Sequence, residues 1–204
     1  MLRGEFAGAE SILVQYLAAA SEAGAVQHQI SALRFLGYTF FATGRDAEAE
    51  QAIDQALQLS EASGESWNRS ELLGLRARAA LGLGRLETAE AFIERALATV
   101  RDDDITAVSE VNEHLGAIRE AQGRDGETEA ALRKSLRVVA ETEYYWPRLA
   151  AAVGLASFLA KKGKFEEAKS LSDEYGDLSL RLGWKMYSEP LAEIRRLIAS
   201  GRPA

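Results

Sequence analysis

The chain has 204 residues, 47% hydrophobic and 27% charged, which suffices for a continuous core beneath a water-facing surface. Its formal net charge of −7 weakens any attraction to a nucleic-acid backbone or an anionic membrane. With no cysteine, disulfides and thiolate metal sites are excluded, and a cytoplasmic location is the simplest expectation.

In chain order, the first apolar cluster is Ile12, Leu13, Val14 and Leu17. Glu5, Glu10 and Gln15 interrupt it at helical spacing, so it predicts an amphipathic helix and not a signal peptide. A glycine ladder then punctuates the chain at Gly4, Gly44, Gly84, Gly123, Gly163 and Gly201, and all but Gly4 are followed by Arg or Lys. A period of about 40 residues predicts stacked helical hairpins, with each glycine in the turn between two helices. Before Gly44, the residues Leu33, Leu36, Gly37 and Phe40 form one helix face, and Ala49, Ile53, Ala56 and Leu57 repeat that spacing after it. The second unit offers Leu73, Ala77 and Ala80, then Ala89, Ile93, Ala96 and Leu97. The third offers Leu115 and Gly116, then Leu132 and Leu136; the fourth offers Leu155, Ala156 and Leu159, then Ala168. The apolar run Leu149 to Ala160 is shorter than the roughly 18 residues a membrane span needs and predicts a helix buried on two sides. A last helix is expected from Ser188 or Glu189, with Pro190 in its first turn and a stripe of Leu191, Ile194, Leu197 and Ile198. No strand-like alternation occurs, so the chain is expected to be all-α.

Unit boundaries follow the same register. A half unit at 1–24 holds a second helix only, full units occupy 25–64, 65–104, 105–143 and 144–183, and 184–204 is a terminal half unit. Gly24, Gly64 and Gly183 stand where a C-cap would end each second helix, with Asp104 and Glu143 at the equivalent places, which predicts long second helices. Both ends fall in mid-unit. The expectation is a piece of a longer protein, or a dimer formed through an open end.

Gly37, Ala77, Gly116 and Ala156 share one register in the first helices, and Ala49, Ala89 and Ala168 share another in the second. Small side chains at both places allow two antiparallel helices to approach closely. The constellation Leu36-Gly37, Phe40, Gly44, Ala49, Ile53 and Ala56 resembles the tetratricopeptide repeat over essentially the whole chain. The period exceeds the standard repeat and the usual proline after the second helix is missing, as in the long-period arrays of bacterial transcriptional regulators, signalling ATPases and kinesin light chain. The resemblance implies a right-handed α-solenoid whose first helices line a concave, peptide-binding face. Carried over by register, the groove residues are Arg34, Phe35, Tyr38 and Phe41 in unit one, and Glu71 and Arg78 in unit two. Glu110, Glu113 and His114 follow in unit three, and Ser157 and Lys161 in unit four. The family's lysine–asparagine carboxylate clamp is not reproduced.

No catalytic constellation is present. His28 and His114 lie two units apart without partners at ligand spacing, Gly82-Leu83-Gly84 lacks the strand and third glycine of a nucleotide loop, and Asp102-Asp103-Asp104 lacks the spacing of a calcium loop. The expectation is therefore a protein- or peptide-binding scaffold module of a larger regulatory protein, without enzyme activity, cofactor or metal. Neither a nucleic acid nor a membrane is an expected partner. A small-molecule sensor domain, with Arg78, Glu113 and Ser157 around a closed pocket, and a purely structural or oligomerisation segment are the alternatives. Trp67, Trp146 and Trp184 recur just before three first helices and are expected to staple the inter-unit turns. Asn112, Arg119, Thr128 and Ser135 make the third unit irregular, either as drift or as a polar pocket. Replacing Arg34 and Tyr38 by alanine is expected to weaken a captured partner while leaving thermal stability unchanged.

Overall fold

The structure, a computed structural model, describes residues 5–203; the turn expected at Gly4 lies outside them. The described residues form ten α-helices and one 3-10 turn, with no strand among them. The helices are α1 (Phe6–Glu22), α2 (Val26–Ala42), α3 (Asp46–Ser63), α4 (Arg69–Gly82) and α5 (Leu86–Thr99). They continue as α6 (Ile105–Ala121), α7 (Asp125–Val139), α8 (Tyr145–Lys161), α9 (Phe165–Leu182) and α10 (Ser188–Ser200). The hairpins α2–α3, α4–α5, α6–α7 and α8–α9 stack in sequence, with α1 against α2 and α10 against α8 and α9. None of the helices is long and apolar enough to cross a membrane.

Each hairpin turn has the same physical cause. Gly44, Gly84, Gly123 and Gly163 take positive φ, a region L side chains rarely adopt. That conformation lets the next residue's N–H reach back five residues: Arg45 to the Phe40 carbonyl, Arg85 to Ala80, Arg124 to Arg119 and Lys164 to Leu159, all at 2.8–2.9 Å. This is the Schellman pattern, which satisfies carbonyls a helix end would otherwise leave open. The basic side chain after the glycine then ties its unit to the preceding second helix: Arg45 to Glu10 at 2.6 Å, Arg85 to Glu50 at 2.9 Å and Lys164 to Glu129 at 2.6 Å. In the third unit the equivalent acid position is Ala89, and Arg119 makes the tie instead, to Glu90 at 2.5 Å.

The second helices are not uniformly long. No non-glycine residue among those described has positive φ, so Asp104 does not serve as a left-handed cap. The helix α5 ends at Thr99, and Asp104 instead starts α6, its carboxylate accepting from the Ala107 N–H at 3.0 Å. Likewise α7 ends at Val139, short of Glu143. The helices α3 and α9 run on to a left-handed glycine at Gly64 and Gly183, and Gly24 is left-handed just beyond the end of α1.

Three clusters fill the core, around Ile53 and Leu36, around Ile93 and Ile118, and around Phe158 and Leu159. The small residues sit where the helices cross. A Cβ on Gly37 would meet Ile53 Cδ1 at 2.6 Å, and one on Gly116 would meet Leu132 Cδ2 at 2.7 Å and Cγ at 2.8 Å. Gly116→Val is therefore expected to destabilise the chain by about 1–3 kcal/mol, through overpacking. Gly126→Ala meets only open space in the first turn of α7 and is expected to stabilise it by roughly 0.5–1 kcal/mol. Urea unfolding of both variants reads the contrast.

The two ends differ. In α1 only Ala20 is buried, and Ile12 and Val14 remain 68% and 52% exposed. At the other end, α10 buries Leu191 and Ile194 and turns Glu189, Glu193 and Arg196 outward.

Candidate functional site

The first helices α2, α4, α6 and α8 bring their inner faces together across the concavity. A largely buried charged network runs across it. Arg34 of α2 donates to Asn68 at 3.1 Å and to Glu110 of α6 at 3.3 Å, and Glu71 of α4 lies 3.6 Å away. Tyr38, one turn along α2, donates to the other Glu110 oxygen at 2.5 Å. Its ring meets Trp146 of α8 edge-on, centroids 4.9 Å apart. Glu71 and Glu110 are only 5% exposed, so the network is a desolvated ion cluster and not a surface pair. Burial opposes the charge on Arg34, but Glu110, Tyr38 and Glu71 outweigh it and hold the guanidinium above its usual range. Burial also raises the Glu110 carboxyl, against the pull of Arg34 and Tyr38.

This bar divides the concavity into two hollows that share Glu110, Trp146 and Pro147. The larger, a groove of about 960 Å³, is walled by Tyr38, Phe41, Val153, Met186 and Tyr187, with Phe6 of α1 at its mouth. Arg78, Glu113 and His114 supply its polar floor. Burial, reinforced by Glu110 and opposed by Arg78, pushes the Glu113 carboxyl up to about 7. His114 is 8% exposed and packs toward Gly74. Its Nε2 is buried without a hydrogen-bond partner, and burial, aided by Arg78, lowers its pKa to about 3, so the ring is neutral at ordinary pH. The smaller hollow, about 560 Å³, lies on the rim where second helices hand over to first helices.

The sequence-derived residues separate accordingly. Arg34, Tyr38, Glu71 and Glu110 form the bar; Phe41, Arg78, Glu113 and His114 join Tyr38 and Glu110 around the groove; Phe35 faces the rim hollow. Lys161 is tied to Glu120 at 2.9 Å, and Ser157 lines neither hollow. Because Arg34 and Tyr38 are locked in a buried network, their replacement is expected to lower stability too, so that double variant does not isolate partner binding.

The irregular third unit is not a polar pocket. Asn112 donates to the Val108 carbonyl at 2.7 Å, Thr128 to the Arg124 carbonyl at 3.1 Å, and Ser135 pairs with Ser109 at 3.1 Å. These groups satisfy themselves within the α6–α7 hairpin, and Arg119 joins Glu90. The tryptophans do not act alike either. Trp184 packs on the last core cluster and Trp146 closes on Tyr38, whereas Trp67 is 69% exposed.

Sequence reasoning missed the groove walls from Trp146 to Ala150 and from Lys185 to Pro190, and Phe6 of α1. The terminal helices curl inward far enough to complete a hollow that a unit-by-unit register assigns only to the first helices of full units.

Residues 28–102 match the tetratricopeptide repeat family. Among solved structures, BtubC (BKLC) from P. vanneervenii is similar at 20% identity, with a TM-score of 0.58 over 88% of this chain and 75% of that one. A Podosopora anserina putative kinesin light chain with nearly identical TPR-like repeats is similar at 16% identity, with a TM-score of 0.54 over 85% of this chain and 94% of that one. No curated protein matches the sequence. Likeness at this level of identity shows the fold: a tetratricopeptide-type solenoid. Such repeats generally mediate protein–protein interaction.

Proposed function

We propose that this tetratricopeptide-type superhelix is a peptide-binding scaffold module that holds a partner's segment in its concave groove, without catalysis, within a larger regulatory protein. The observation that carries the reading is the groove itself. It has apolar and aromatic walls around two opposite charges, Arg78 and Glu113, that make no ion pair within 4 Å of each other or of anything else described. Aromatic anchors around a few unspent polar groups are what a recognition hot spot needs. The sensor alternative called for a closed pocket with Arg78, Glu113 and Ser157 in its wall; the groove is not an enclosed cavity and Ser157 is absent from its lining.

The test uses peptides selected from a random display library on the wild-type chain. Arg78→Ala is expected to weaken the selected peptides by about tenfold or more, the scale of a hot-spot truncation, while the melting temperature stays near wild type. Peptides that bind Arg78→Ala as tightly as wild type would remove the groove from consideration.

A further inference from the structure

The rim hollow has a chemistry of its own. Five aromatic side chains are exposed among the described residues, and four of them line it: Phe35 and Tyr145 at 39%, Tyr144 at 58% and Trp67 at 69%. Rings gathered in water at one place mark a surface that another molecule covers. Between them stand four carboxylates, on Glu71, Asp104, Glu110 and Glu143. The one cation among the lining residues is Arg34, already shared between Glu71 and Glu110, so the lining carries a net charge of −3. An anion finds nothing to hold it here: Asp104 occupies the start of α6, and nearby Arg101 is tied to Asp103 at 2.7 Å. Carboxylates and ring faces both attract positive charge, and a planar guanidinium can use both at once. The chain applies the same chemistry internally, with Arg45 4.5 Å from the Phe40 ring centre and Arg76 4.7 Å from that of Phe92.

We propose that the rim hollow seats an arginine side chain from a basic segment of a polypeptide partner, with the guanidinium against Trp67 and its neighbouring tyrosines and the charge answered by Glu143 and Asp104. The volume accommodates one long side chain and the backbone that delivers it. The inference goes beyond the groove reading and stands without it, because its rings and Glu143 lie outside the groove.

Fluorescein-labelled hexa-arginine, titrated against the full chain at low salt and followed by anisotropy, supplies the test. Wild type is expected to bind it and to ignore hexaglutamate. Trp67→Ala, which removes no charge and little buried surface, is expected to weaken binding by about fivefold, the scale of one cation–π contact. Glu143→Gln is expected to weaken it more than Glu174→Gln, an equal charge change at an exposed site on α9. Two results would overturn the proposal: Trp67→Ala binding within twofold of wild type, or Glu143→Gln and Glu174→Gln weakening binding equally, which is unspecific attraction to an acidic protein. Arg78→Ala reports on the groove separately, so a failure of either site is read without the other.

Discussion

Arg34→Ala is expected to cost about 3–5 kcal/mol of stability, the scale for breaking a buried ion cluster from one side. The guanidinium is the counter-charge for both Glu71 and Glu110, and its loss leaves two desolvated carboxylates facing one another, with Asn68 short of a donor. For a chain of this size that is a fall in melting temperature of about 10 °C. Neutralising the stranded acids reverses most of it. In Arg34→Ala with Glu71→Gln and Glu110→Gln, the amide at 110 can still accept from Tyr38, and more than half of the lost stability should return. Thermal and urea unfolding of the three proteins decides the matter. If Arg34→Ala unfolds within about 1 kcal/mol of wild type, the network is not what holds the concave face together.

The same network changes how the array should be regarded as a whole. In an ideal solenoid each repeat touches only its neighbours and stability is a sum of nearest-neighbour terms. Here Arg34 and Tyr38 of the first full hairpin reach Glu110 of the third, and Tyr38 reaches Trp146 of the fourth. Contacts that skip a unit couple distant hairpins into one cooperative structure, and they fix the curvature that makes the groove.

The hairpins are readable in the sequence because each is local: a left-handed glycine, a helix face on either side and a small residue at each crossing are set within a few tens of residues. Gly37 against Ile53 and Gly116 against Leu132 are such pairs. Curvature is not local. It accumulates from many side-chain volumes between stacked hairpins, so nothing in the register says that α2 will meet α6 or that Phe6 and Met186 will share a hollow. The three tryptophans show the consequence. They occupy one place in the repeat, yet Trp146 meets Tyr38 across the concavity while Trp67 meets solvent, because what lies opposite differs from unit to unit.

Glu113 is expected to make stability fall as pH rises toward neutrality. Its carboxyl has an ordinary pKa of 4.5 and a folded value of about 7, so between those values the folded chain holds a proton that the unfolded chain has released. Stability therefore declines with pH across that window. His114 works in the opposite sense: at about 3 folded against an ordinary 6.5, the unfolded chain holds the extra proton, and stability rises with pH between those values. The two slopes oppose each other from about pH 4.5 to 6.5 and flatten the wild-type profile there. Glu113→Gln removes one of them. The variant's advantage over wild type is expected to start near zero at pH 4.5, grow as pH rises and level off above about 7, at roughly 1–3 kcal/mol. Urea unfolding at a series of pH values measures that difference directly. A constant offset would mean that Glu113 ionises as it does in water. A rising one would mean that the groove keeps a strained negative charge at neutral pH, and that charge is what a partner's donor would relieve on entering.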